Sequence, residues 1–204
     1  MSTDLLSQHF DTIATSPDGI ARMRKLILQL AVQGKLGTQD AGDEPLDEII
    51  KKIQKQNQKL NGKKGNFSKI EDSELYFTIP EKWSVLRLGE ICSVRAGGTP
   101  DRKNPAYWEN GTIPWIKIQD IKEKYVTETS EYITEEGLKN SSAFLMETDT
   151  ILYTIFATIG KAGILKFKAC CNQAIVGIKP NEDIISKDYL YLHLIAIQSY
   201  YAQL

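Results

Sequence analysis

At 204 residues, 42% hydrophobic and 25% charged, the chain has the make-up of an ordinary globular protein, which excludes global disorder. A formal charge of −1 excludes an overall basic surplus, so any contact with nucleic acid must come from local patches. Three cysteines, two of them adjacent, exclude a disulfide framework and read as reduced, mostly buried thiols of a cytosolic protein.

Residues 4–15 read as a short amphipathic helix with Leu6, Phe10 and Ile13 on one face. Ser16 and Pro17 predict a restart, Ser16 as cap and Pro17 at the first helical position. Ile20, Met23, Ile27 and Leu30 step by three and four, an a/d seam that Gly34 and Gly37 close. A polar loop over 38–44 leads to Pro45, which opens a helix with Leu46, Ile50, Ile53, Asn57 and Leu60 on its seam, stopped by Gly62. Lys51, Lys52, Lys55 and Lys59 line its other faces, with Lys63 and Lys64 beyond. Their ordinary role is a solvated face. Residues 1–65 thus form a helical arm or spacer of coiled-coil type. Helices this short need partners, from this chain or from another.

Residues 66–75 are a polar linker. From Tyr76 onward, aromatics, β-branched residues and turn signals become frequent. Strands are predicted at 84–88, 113–118, 150–154, 163–167 and 173–178, and a closing helix from Asp188. The expected fold class is α+β: the helical arm, then a mixed α/β domain over 76–204. The chain starts without a leader signature and has no apolar run long enough to span a membrane, which points to the cytoplasm and to no membrane partner.

The densest motif runs over 97–121. It holds Gly97, Gly98, three prolines, Trp108, Trp115 and the basic pair Arg102 and Lys103. That is the make-up of an ordered recognition loop closed by a strand. Glycine allows φ > 0 and close approach, and proline limits the entropy lost on binding. Thr99, Arg102, Lys103 and Tyr107 are its candidate contacts, with the basic pair at the tip suited to phosphate or guanine. Tyr107 and Trp108 read mostly as core packing, the basic pair mostly as ligand contacts. Alternation then puts Lys117 and Gln119 on one strand face and Ile116 and Ile118 on the other. An open face of that kind either reads base edges or is simply solvated.

Residues 156–163 contain Gly160-Lys161 but fail the Walker pattern. Position 155 is isoleucine rather than glycine, and Ala162 follows the lysine. A tight turn presenting Thr158 and Lys161 remains. Asn104-Pro105-Ala106-Tyr107 falls short of the Asn-Pro-Pro-Tyr signature of amino-methyltransferases, and no glycine-rich cofactor loop precedes it. Asp101, Asp120 and Lys122 loosely fit a metal-dependent nuclease, the alternative from another class. No Cys/His spacing suits zinc.

Gly97-Gly98-Thr99-Pro100 with Tyr107-Trp108, Ile113-Pro114-Trp115, Thr158-Ile159-Gly160-Lys161 and Asn172-Gln173-Ala174 occur in an order that resembles the specificity subunit of type I restriction-modification systems. Residues 26–36 resemble the helical segment flanking that family's recognition domains. The resemblance implies a target recognition domain that reads one half of a split site in double-stranded DNA. It implies helices that act as spacer and docking surface for methyltransferase and restriction/translocase subunits, with self-association through helices as a further possibility. It implies no catalysis and no cofactor in this chain. S-adenosylmethionine would belong to the methyltransferase partner, and ATP and Mg²⁺ to the restriction partner. The family's full subunit carries two recognition domains and two helical regions. One of each here points to a fragment, with a half-subunit that pairs with a second copy as the alternative.

Overall fold

The computed structural model describes residues 10–37, 42, 44, 46–61, 70–75 and 77–201, and the chain divides into two compact units, 1–85 and 86–204. The expectations placed on Leu6, Pro45, Lys63, Lys64 and residues 66–69 lie outside the described residues.

The first unit is built from α1 (Phe10–Thr15), α2 (Gly19–Val32) and α3 (Leu46–Asn61). α2 starts later than Pro17. The Gly19 amide closes a turn on the Ser16 carbonyl at 3.0 Å, and Asp18, at φ 57°, is the N-cap without a side-chain hydrogen bond. Asp18, not Ser16, takes the N-cap position. The C-terminus ends as read. Gly34 sits at φ 68°, its amide reaches Ala31 O (3.0 Å), and the Lys35 amide reaches Leu30 O (2.8 Å), a Schellman arrangement. A Cβ on Gly34 would stand 2.4 Å from Pro80 Cγ, so Pro80, assigned from sequence to the second domain, packs in the first unit. Ile53 of α3 is buried. Ile20 and Ile27 of the α2 seam are 54% and 42% exposed.

The second unit holds two sheets. The larger has the order β1 (Cys92–Ala96), β8 (Ile175–Pro180), β5 (Ile151–Thr154), β6 (Ala162–Leu165) and β3 (Tyr125–Val126). All its pairs are antiparallel except β3 with β6. The smaller places β2 (Ile113–Ile116) between β4 (Tyr132–Ile133), antiparallel, and β7 (Cys170–Cys171), parallel. Three helices complete the unit: α4 (Leu88–Ile91), α5 (Glu135–Lys139) and α6 (Lys187–Tyr201).

Period-two alternation sorts the side chains into layers. Ile151, Tyr153, Ile164, Val176 and Ile178 cluster with Leu190, Tyr191 and Leu194 of α6. Leu152, Leu165 and Ile175 cluster instead with Ile116, Ile121, Val126, Met146 and Cys171. Trp115 and Cys170 face the other way from their neighbours Ile116 and Cys171, joining Ile113, Ile133 and Ala143 over Trp108 and Leu138. Each fully buried aliphatic side chain here contributes about 1.5–3 kcal/mol of burial free energy.

Two predicted strands differ. Residues 84–88 are not a strand. The Arg87 amide bonds the Glu90 carboxylate at 2.8 Å and starts α4. The strand predicted over 113–118 stops at Ile116, because Asp120 Oδ2 accepts the Lys117 amide at 2.8 Å and draws Ile118–Asp120 into a 3₁₀ turn. Lys117 and Gln119 therefore do not share a strand face. Cys170 and Cys171 are buried on opposite sides of β7, and burial pushes both thiols up to about 12. Among the described residues, no helix is long and apolar enough to cross a membrane.

Candidate nucleic-acid interface

One end of both sheets gathers the loops of interest. β1 leaves it at Ala96, opposite Val176 of β8. β5 reaches it at Thr154, opposite Ile175. β2 and β7 end there together at Ile116 and Cys171. Backbone bonds then tie the loops to one another. The Gly97 amide donates to Ile175 O (2.9 Å), Gly98 to Cys171 O (2.9 Å), Asn172 to Ile116 O (3.1 Å) and Ile155 to Ala174 O (2.9 Å).

The glycine pair serves this closure. A Cβ on Gly97 would lie 2.3 Å from Cys171 O, and one on Gly98 2.3 Å from the Ala143 amide nitrogen. Neither has a positive φ, so close approach alone is their reason. The glycine end of the loop is buried, while 101–103 and 105–106 are exposed. The segment 97–112 is not a hairpin, because β1 and β2 belong to different sheets.

Trp115 Nε1 donates to Gly98 O (2.9 Å) and Trp108 Nε1 to Asp101 O (3.0 Å), pinning the loop at both ends. The two indoles meet edge to face, 5.1 Å apart. Arg102 lies over them, its guanidinium carbon 3.6 Å from the Trp108 ring centre and 4.6 Å from that of Trp115, with its Nη2 2.6 Å from Glu131 Oε2. Lys117 Nζ pairs with the other oxygen of Glu131. Burial pushes the Glu131 carboxyl up. Hydrogen bonds from Lys117 and Arg102 outweigh it and hold the pKa below the ordinary carboxylate range.

Arg102 is thus a clip inside the loop, not a free charge at its tip. Lys103 is exposed, its amide bonded to Asp101 Oδ1 (2.9 Å), and its ammonium has no ion pair among the described residues. Thr99 Oγ1 donates to Gln173 Oε1. Lys161 Nζ donates to Ile118 O (3.4 Å), next to the exposed Gln119. Thr158 is exposed, and its carbonyl accepts from the Thr154 hydroxyl. Tyr107 stands apart, half-buried against Gly137.

The residues of the nuclease alternative hold separate local roles. Asp101 caps its own turn, Asp120 accepts from Lys117 and Thr129, and Lys122 sits 3.7 Å from Glu128. Among the described residues, no group of three or more His, Cys, Asp and Glu could hold a metal ion. Sequence reasoning did not single out Glu131, which lies far along the chain from Arg102 and carries no local signal. It had Gln173 only as the first residue of a predicted strand and within the resemblance.

This geometry defines a two-sheet α+β domain that collects polar and basic loops at one end. The family model of the type I restriction modification DNA specificity domain matches residues 80–204, and the chain belongs to that family. The type I restriction enzyme EcoAI specificity subunit of Escherichia coli is 41% identical over 149 residues, covering 65% of this chain and 25% of the relative. The MjaIX specificity subunit of Methanocaldococcus jannaschii is 35% identical over 116 residues, covering 55% of this chain and 26% of the relative. The HsdS subunit from Thermoanaerobacter tengcongensis superposes with a TM-score of 0.49 at 16% identity, over 90% of this chain and 39% of that one. The chain therefore spans about a quarter of the length of these two curated relatives.

Proposed function

We propose that the chain is a non-catalytic recognition module that reads one half of a bipartite site in double-stranded DNA. Its helical unit docks methyltransferase and restriction subunits in the cytoplasm. S-adenosylmethionine, ATP and Mg²⁺ belong to those partners in this reading. The family match over 80–204 carries the proposal. The gathering at one end of the matched unit of the loops that carry Thr99, Lys117, Gln119 and Lys161 supports it, with Lys103 and Thr158 exposed on those loops. Phosphate contacts set register, and loop side chains read bases. Lys103 and Lys161 are assigned to the backbone, and Gln119, Thr158 and the Thr99–Gln173 pair to base edges.

A salt titration of DNA binding tests the assignment. Each lysine that neutralises one phosphate contributes about one unit to the slope of log K against log salt. Lys103→Ala and Lys161→Ala should each weaken binding on mixed-sequence duplexes and flatten that slope. Unchanged slopes for both would remove them from the interface.

A further inference from the structure

We propose that the loop at 155–160 is an apolar wedge that inserts Phe156 into a base step of the bound duplex. The inference rests on the DNA-recognition reading and adds to it a deformation of the DNA. Phe156 is 72% exposed, with Ile155 at 45% and Ile159 at 55% beside it. These side chains stand outside the core although the loop itself is firmly braced. The Thr154 hydroxyl, wholly buried, donates to Thr158 O and accepts from the Lys161 amide (2.9 Å). The Gly160 amide returns to Thr154 O (3.0 Å), and Gln198 Nε2 holds Ile159 O (3.3 Å).

Ala157 sits at φ 62°, a left-handed conformation unusual for a residue with a Cβ. Such strain persists only where the surroundings over-determine it, often at ligand clamps. The loop thus presents three apolar side chains from a fixed backbone. Its neighbours settle the choice of occupant. Thr158 lies within the loop, and Lys161, which follows it, reaches Ile118, next to Gln119. A cationic and hydrogen-bonding surround suits phosphates and base edges, and Phe and Ile are among the side chains that unstack base steps. Pyrimidine–purine steps yield to such wedges most readily.

The test uses the full chain and a duplex enriched by it from a pool of random sequence. Phe156→Ala and Phe156→Trp are compared by affinity and by permanganate reactivity, which marks unstacked thymines. Phe156→Ala should lose about tenfold in affinity, the scale of one aromatic–base stack, and abolish a local permanganate signal. Phe156→Trp should keep both, and all three proteins should share one melting temperature. Wild-type affinity and reactivity in Phe156→Ala overturn the wedge and leave DNA recognition standing. A marked fall in its melting temperature makes Phe156 a packing residue and also overturns it. Unchanged DNA binding with lost capture by a methyltransferase subunit assigns the loop to a protein instead. Failure of the wild-type chain to enrich any sequence ends the recognition reading and the wedge with it.

Discussion

Arg102 spans two indole rings and one carboxylate, so its removal acts on stability before it acts on any ligand. Cation–π contacts contribute about 0.5–2 kcal/mol, and a partly exposed ion pair adds less than about 1 kcal/mol. Arg102→Ala should lower the unfolding free energy by about 1–3 kcal/mol in a denaturant titration. Lys103→Ala, on an exposed side chain, should stay within about 0.5 kcal/mol of wild type. Equal effects would return Arg102 to the ligand. Glu131 adds an acid dependence. Its folded pKa lies below its ordinary value of 4.5, so its contribution is complete above that value and is lost as pH falls through the folded one. Glu131→Gln should be less stable at neutral pH and should lose less on acidification, as thermal melts between about pH 3 and 6 would show. Composition and motif made Arg102 visible in the sequence. Its role was not legible, because Glu131 and Trp115 reach it only through the tertiary fold.

At the level of elements, the sequence was most readable where one face is buried and periodicity is clean. β5, β6, β8 and α6 fall close to their expected spans. β1 escaped notice because its last four residues are exposed, leaving no alternation to read. β3, β4 and β7 have two residues each, too few for a pattern, and their pairing is dictated by the strands beside them. The turn after β2 follows from one carboxylate, Asp120, competing for a backbone amide. Two substitutions probe this level. Trp115→Ala should cost about 3–5 kcal/mol, since the ring is 2% exposed and also anchors Gly98. Gly160→Ala should cost about 1–2 kcal/mol, because φ 90° disfavours a Cβ that would also meet Gln198 Cγ at 2.4 Å. Chemical denaturation measures both, and a neutral Gly160→Ala would contradict the bracing of the wedge loop.

Over the whole molecule, the meeting of β1, β2, β5, β7 and β8 ends is a property of topology. No local signal announces that Thr99 reaches Gln173 or that Lys161 reaches Ile118. The motifs gave the loops individually, and the two-sheet pairing gave their company. In the proposed function, this end recognises a DNA sequence and leaves covalent chemistry to other chains. Its most direct test mixes the full chain with a pool of randomised duplexes and Mg²⁺, then sequences the retained and total DNA. The expected outcome is one enriched short motif in DNA of undiminished length. Retained DNA with the composition of the starting pool, or shortened DNA, would contradict it.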